Sequence, residues 1–205
     1  MKELSLNILD LAQNSIKAGA KNIKITLLEY DDVLIIEIYD DGKGMSLKEK
    51  QRAEDPFFTT RTTRAVGLGI PFFKSAAEQT GGSFEAQSQE RSGSSPGFTK
   101  ITGCFNKNSI DFTPLGDIIA TVCAIVGGLE EQNLLFTHKL FKSQGLENNN
   151  QNNDKITPYG TAELDTSEMR EILGDIPLRS PEVILWVKDF LANQYAALYG
   201  DENKN

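Results

Sequence analysis

Three short segments of the chain combine carboxylates, amides, hydroxyls and glycines at spacings that suit ligand chemistry. The first, residues 9–20, has helical periodicity and holds Asp10, Asn14 and Lys17. Spacings of four and then three residues place these side chains on one helical face. A carboxylate, an amide oxygen and an ammonium on that face can meet Mg²⁺ and phosphates together. A solvated polar stripe on a surface helix is the alternative interpretation.

The second segment, residues 39–45, leaves a β-rich run and contains Asp40, Gly42 and Gly44. A carboxylate at the end of a strand can accept a hydrogen bond from an exocyclic amine. Glycines beside it let the backbone approach a flat base with no Cβ in the way. An adenine ring suits this arrangement, and an ordinary acidic turn is the alternative.

The third segment, residues 56–70, is rich in hydroxyls and arginines and runs directly into a predicted helix. Backbone amides at a glycine-rich helix start bind anions, and Arg61 and Arg64 add positive charge nearby. Phosphates are the ligands that this segment favours, although a threonine-rich loop without function has the same composition. Residues 45–66 have little regular periodicity, and a loop of that length in a compact domain is typical of a functional lid.

Hydrophobic spacing predicts the elements that position these segments. Residues 3–18 form an amphipathic helix, because Leu4, Ile8 and Leu11 recur at intervals of three to four. Residues 148–153 are almost pure Asn and Gln, which predicts a mobile loop between two strands. The other predicted elements are strands at 22–29 and 33–39, a helical turn at 47–52, a helix at 68–79, strands at 83–89 and 97–105, a helix at 114–126, strands at 133–141 and 161–164, a short helix ending near 173, and a helix from 181.

Composition excludes several classes of function. The chain has 205 residues and a formal net charge of −8, which repels nucleic acid and anionic lipid over the surface as a whole. The longest mostly apolar run, residues 118–126, is too short to cross a bilayer. We therefore expect a cytoplasmic protein with no nucleic-acid partner and no membrane insertion.

Taken together and in order, the three segments resemble the ATP-binding domain shared by histidine kinases, gyrase-type topoisomerases, MutL-type repair proteins and heat-shock chaperones, known as the GHKL superfamily. The matching motifs are Asn-Ser-Ile-Lys-Ala-Gly-Ala at 14–20, Asp-x-Gly-x-Gly at 40–44, and Phe-Thr-Thr at 58–60 leading to Gly-x-Gly at 67–69. The resemblance covers about residues 1–106 and is greatest to the histidine-kinase and anti-sigma-kinase versions. It implies an α/β (α+β) two-layer sandwich of the Bergerat type, with a mixed, largely antiparallel sheet. We expect this ATPase domain at residues 1–108 and a small α/β extension of unknown role at 109–205.

The resemblance also implies roles for individual residues, with ATP and Mg²⁺ as cofactors. Asn14 would bind the metal, Lys17 a phosphate, and Asp40 the adenine amine. Asp10 is the catalytic candidate, but it stands where hydrolysing relatives carry a glutamate, and its shorter side chain predicts slow or absent hydrolysis. The other cofactor-binding residues implied are Gly42, Gly44, Met45, Thr59, Thr60, Arg61, Arg64, Gly67, Leu68 and Gly69.

A histidine kinase also needs a phosphoacceptor histidine on a helix ahead of this domain, which the sequence lacks. His138, the single histidine, lies in a predicted strand, where a structural role is the better interpretation. We therefore expect a stand-alone regulatory kinase of signal transduction that phosphorylates a protein partner. The alternative is a protein-binding module that ATP switches with little or no turnover. Of the two hypotheses, the sequence favours the enzyme. A homodimer is compatible with the sequence.

Overall fold

The computed structural model describes residues 3–54, 69–142 and 157–200. Within these ranges the strands are β1 (Asn22–Glu29), β2 (Val33–Asp40), β3 (Ser83–Gln89), β4 (Phe98–Asn106), β5 (Asn133–Leu140) and β6 (Gly160–Asp165). The helices are α1 (Leu4–Lys17), α2 (Leu47–Glu54), α3 (Gly69–Gln79), α4 (Ile118–Gly127), α5 (Thr166–Leu173) and α6 (Pro181–Tyr199). None of these helices is both long enough and apolar enough to cross a membrane.

All six strands join one sheet, in the order β3-β4-β2-β1-β5-β6. Every neighbouring pair is antiparallel except β1 and β5, which run parallel. A parallel neighbour requires a crossover connection, and α4 supplies it between β4 and β5. The predicted mixed, largely antiparallel sheet is therefore confirmed.

The helices form a second layer, because α1 packs between α3 and α4, and α4 packs against α6. Side chains of β2 alternate between this layer and the other face, so that Leu34, Ile36 and Ile38 are buried. Asp40 continues the same alternation and is the last residue of the strand. The strand period thus turns a carboxylate towards the helices at the end of a buried run.

The predicted elements agree with the structure to within a few residues, with one clear difference. The helix predicted from residue 114 begins at Ile118, because the Asp117 carboxylate accepts a hydrogen bond of 2.8 Å from the Ala120 N–H and caps the helix there. Gly116, at φ +80°, belongs to the segment that leads into this cap. The predicted loop at 148–153 and most of the predicted lid lie outside the described residues.

The C-terminal strands extend the same sheet rather than forming a second one. β5 pairs with β1 along its whole length, from Asn22↔Asn133 to Glu29↔Leu140. The hydrophobic core is likewise continuous from α1 to α6. The division of the chain into two domains at residue 108 stays a prediction. The strands before and after this residue belong to the same sheet.

Candidate nucleotide-binding site

Asp40 is the most constrained carboxylate of the predicted site. Its side chain is buried at the end of β2, with the residue 4% exposed. The Ser15 hydroxyl donates a hydrogen bond of 2.8 Å to Oδ2, and the Gly42 N–H donates one of 3.0 Å to Oδ1. Burial raises the pKa of this carboxyl, and the two hydrogen bonds offset part of the rise. The result is a fixed acceptor whose remaining lone pairs are available to a ligand.

Asp41, the next residue, has a different task. Its carboxylate accepts hydrogen bonds of 2.7 and 2.8 Å from the N–H groups of Lys21 and Asn22, and one of 2.7 Å from the Asn22 amide. Although partial burial acts to raise the pKa of Asp41, these donors bring it below its usual value. Asp41 therefore ties the end of β2 to the start of β1, which leaves Asp40 as the carboxylate that can recognise a ligand.

The glycines after Asp40 are required by close packing. A Cβ on Gly42 would lie 2.8 Å from Asp40 Oδ1 and 3.0 Å from the Ala18 Cβ. Gly44 has φ +69°, and a Cβ there would collide with the carbonyl oxygen of Gln89. The contact of Gly42 and Gly44 with a base stays a prediction, but their local role is to let this loop lie against α1 and β3.

Two polar side chains of α1, those of Asp10 and Asn14, lie near the start of α3. A Cβ added to Gly69 would come 3.1 Å from the Asp10 Cβ and 3.8 Å from the Asn14 amide nitrogen. Lys17 is exposed one turn further along α1. Among the described residues, none of the three side chains makes a hydrogen bond or an ion pair, so that their donors and acceptors are uncommitted. The structure thus places Gly69 beside Asp10 and Asn14, which the spacing within α1 had placed on one face.

Met45 lies at the exit of the glycine loop. Its N–H donates a hydrogen bond of 2.8 Å to the Ser88 hydroxyl, which itself donates one of 2.8 Å to the Phe98 carbonyl. The six other residues assigned to the site lie outside the described residues, and their roles stay predictions: Thr59, Thr60, Arg61, Arg64, Gly67 and Leu68.

Two residues of the site were not predicted from the sequence. Ser15 orients Asp40, and the signal for it was a hydroxyl four residues after Leu11, at a position of α1 that faces the core. Thr99 is the cross-strand partner of Asp40 on β4, is 9% exposed, and lies 3.2 Å from the Ser88 hydroxyl. Because only strand pairing brings Thr99 next to the carboxylate, no comparable signal for it exists in the sequence.

Comparison with known proteins identifies the family of the first half of the chain. Residues 2–103 match the family described as histidine kinase-, DNA gyrase B-, and HSP90-like ATPase. The sensor histidine kinase ZraS of Escherichia coli is 33% identical over 89 residues, which are 42% of this chain and 19% of that protein. Sporulation kinase E of Bacillus subtilis is 32% identical over 94 residues, 45% of this chain and 12% of the kinase. The chain therefore spans less than a fifth of the length of either relative.

Solved structures with a related shape include the Aquifex aeolicus MutL ATPase domain complexed with ADP. It has a TM-score of 0.47 and 10% identity, over 67% of this chain and 60% of that one. The catalytic domain of the histidine kinase ThkA has a TM-score of 0.32 and 21% identity, over 48% of this chain and 62% of that one. The match over residues 2–103 carries the assignment, and through these residues the chain belongs to the histidine kinase-, DNA gyrase B- and HSP90-like ATPase family.

Proposed function

We propose that this protein binds ATP with Mg²⁺ and acts as a regulatory kinase that passes the terminal phosphate to a protein partner. The observation that carries the proposal is the buried Asp40 carboxylate, fixed by Ser15 and Gly42 at the end of β2. A buried acceptor held from two sides gives a flat purine a single direction for its exocyclic amine. The family assignment and the uncommitted polar groups of α1 support the same interpretation.

The donor set around α1 fits a magnesium-bound polyphosphate. The Asn14 amide oxygen is a ligand of the kind that Mg²⁺ accepts, and the uncommitted Asp10 carboxylate lies beside it. Mg²⁺, when bound, neutralises charge on the phosphates. Lys17 would contact a phosphate, and the first amides of α3 at Gly69 would add helix-terminal donors. Asp10 would orient a water or hydroxyl nucleophile. Its carboxylate reaches less far than that of a glutamate, because its side chain is one methylene shorter.

The phosphate acceptor cannot be His138 in this fold. Its ring is fully buried, with Nδ1 at 2.8 Å from the Tyr195 hydroxyl and Nε2 at 3.0 Å from the Glu29 carboxylate. Both nitrogens are therefore occupied, and phosphorylation of either would break the contact of β5 with α6 or β1. We therefore propose an acceptor other than His138, on a partner protein.

Calorimetric titration with Mg²⁺-ATP tests the pocket. Asp40→Asn exchanges one carboxylate oxygen for an NH₂ group at constant size, so we expect nucleotide affinity to fall at least about tenfold. Asp111→Asn makes the same change at an exposed loop position and should leave affinity unchanged. Equal affinity of the wild type and Asp40→Asn would refute the pocket.

The transfer step needs a separate measurement. ATP labelled at the terminal phosphate, incubated with the protein and a cell extract, should label an acceptor with the wild type and Asp111→Asn but not with Asp40→Asn. Labelling that persists with Asp40→Asn would refute the kinase proposal.

The second candidate function is a binding switch in which nucleotide changes a partner-binding surface with little turnover. Asp10 favours it, because a carboxylate one methylene shorter than the usual glutamate is a poorer general base for an aligned water. Partner capture compared with ATP, with ADP and without nucleotide is the test. Capture that is the same in all three states would eliminate the switch.

A further inference from the structure

The last helix, α6, is apolar on its buried side and also along an exposed stripe beside it. Its inner side packs into the core through Val183, Val187 and Leu191, which are 6%, 0% and 0% exposed. Its outer side carries Leu185, Trp186 and Phe190, which are 59%, 51% and 37% exposed. A surface helix normally keeps one polar face, and a helix that is apolar all round is normally covered. The outer side of α6 therefore has the composition of an interface.

Two aromatic rings on this side are already ordered against each other. Trp186 and Phe190, one turn apart, stack with ring centroids 4.8 Å apart and planes 13° from parallel. Because each ring restrains the other, a partner that covers them loses little side-chain entropy on binding. Tryptophan is also the residue most enriched at the energetic centre of protein interfaces.

The charges on the outer side have a single sign. Glu182 and Asp189 share the stripe with Leu185, Trp186 and Phe190, at spacings of three and four residues. Both acids are exposed, and neither makes an ion pair with another described residue. Lys188 does not belong to this stripe, and its charge acts to lower the pKa of the Cys123 thiol on α4. We call the five residues Glu182, Leu185, Trp186, Asp189 and Phe190 the α6 outer face: its three apolar side chains are accompanied by two acids.

We propose that the α6 outer face docks an amphipathic, basic helix of a partner protein. The face extends over nine residues, from Glu182 to Phe190, or roughly 12 Å along the axis, which matches two turns of a helix packed alongside it. Lysine or arginine flanking the apolar residues of that helix would pair with Glu182 and Asp189. A second copy of this chain would instead bring the same two acids against each other, and an anionic membrane would be repelled by them.

A model peptide tests the chemistry of the face directly. The probe is a synthetic helix of leucine and lysine with amphipathic spacing and no tryptophan. Trp186 is the single tryptophan, so that protein emission reports on this face alone. We expect a saturable shift of the emission maximum to shorter wavelength, and no such shift with the same peptide carrying glutamate in place of lysine. An equal shift with both peptides would overturn the proposal.

Substitutions that keep Trp186 as the fluorophore test whether the peptide binds at the α6 outer face. Phe190→Ser should weaken binding about tenfold, and Glu182→Gln with Asp189→Asn should weaken it and reduce its salt dependence. Ile110→Ser removes an exposed apolar side chain elsewhere, at a residue 99% exposed, and should change nothing. Wild-type affinity in Phe190→Ser would overturn the proposal. So would an emission shift that follows protein concentration without peptide, because it would identify the occupant as a second copy.

The face is independent of the nucleotide site in this test. Asp40→Asn should keep the full emission shift with the lysine peptide, while it loses nucleotide affinity. Failure of the α6 outer face and failure of the proposed nucleotide function therefore give different results in the same set of proteins.

Discussion

Replacing Ser15 with alanine isolates the hydrogen bond that orients Asp40. The bond is 2.8 Å long, lies between two buried side chains, and runs from a hydroxyl to a carboxylate. Hydrogen bonds to charged groups contribute about 1.5–3 kcal/mol, so Ser15→Ala should lower the free energy of unfolding by about 2 kcal/mol. For a protein of this size that loss corresponds to a fall of roughly 4–8 °C in Tm.

Ser5→Ala is the matched control on the same helix. Ser5 is as deeply buried as Ser15, but its hydroxyl donates to the Glu3 carboxylate at 3.3 Å, close to the limit of a hydrogen bond. We expect Ser5→Ala to cost less than about 1 kcal/mol and to leave nucleotide affinity unchanged. Ser15→Ala should weaken nucleotide binding, because an unrestrained Asp40 no longer presents its oxygen in one direction.

The pH dependence of the Ser15→Ala effect has a definite sign. Burial raises the pKa of Asp40 in the folded protein, so its ionised form opposes folding at neutral pH and that penalty is relieved as the pH falls. The Ser15 bond lowers this pKa, so that Ser15→Ala raises it further. The difference in free energy of unfolding between wild type and Ser15→Ala is therefore largest at a pH above the pKa of Asp40 in both folded proteins. It shrinks as the pH falls through these two pKa values. Urea unfolding from pH 7 to pH 4 measures it, and a difference no larger than that of Ser5→Ala would refute the reasoning.

Two further predictions concern the loop after β2 and the far end of β1. Gly44→Ala should lower the free energy of unfolding by at least about 3 kcal/mol, because the new Cβ collides with the Gln89 carbonyl at a residue that already has a strained positive φ. Gly93→Ala is the control: its φ is +54° but its Cβ would lie in open space, so it should lower that free energy by about 1 kcal/mol. Equal urea midpoints for the two variants would contradict this prediction. Although burial acts to raise the pKa of Glu29, hydrogen bonds from His138 and Lys107 lower it from 4.5 to about 2. Glu29→Gln should therefore lower the free energy of unfolding at pH 7 by about 2 kcal/mol, after allowance for solvent screening. The Glu29 contribution is lost as the pH falls from 4.5 towards 2, and a wild-type advantage that persists unchanged to pH 2 would contradict the assignment.

Local periodicity was sufficient to predict α1 and the end of β2. Asp10, Asn14 and Lys17 share a face because the helix has 3.6 residues per turn, and no distant contact is needed to place them there. Asp40 is buried because it continues the alternation of β2. These two facts explain why the positions of the first two motifs were predictable from sequence.

Tertiary pairing explains what the sequence did not predict. Thr99 reaches Asp40 through the register of β4 against β2, and Ser15 reaches it through the packing of α1 on the sheet. The collision that requires glycine at 44 comes from Gln89, at the end of β3. In each case the partners are separated by at least 25 residues in sequence, and the hydrophobic pattern that identifies an element does not identify its neighbours.

The same limitation applies to the strand pairing of the C-terminal part, residues 109–205. The sequences of β5 and β6 have the pattern of ordinary strands, and that pattern does not indicate which strand they pair with. Only the structure shows that β5 pairs with the edge of β1. The segment before α4 also accepts hydrogen bonds from the first turn of α1, with Leu4 N–H at 2.9 Å from the Pro114 carbonyl and Ser5 N–H at 2.8 Å from the Leu115 carbonyl. These N–H groups have no acceptor within their own helix.

α1 therefore connects the two halves of the chain. Its first turn is held by the segment that leads into α4, and its last turns carry Asn14, Ser15 and Lys17. α4 in turn packs on α6, where the Cys123 thiol lies 4.0 Å from the Ile184 carbonyl and a Cβ added to Gly127 would lie 3.7 Å from the Ile184 side chain. A contiguous set of packed helices thus runs from α1, which carries Asp10 and Asn14, through α4 to α6. If the proposed nucleotide shifted α1, close packing would require the neighbouring helices to accommodate that shift, and this is the physical condition that the proposed binding switch needs.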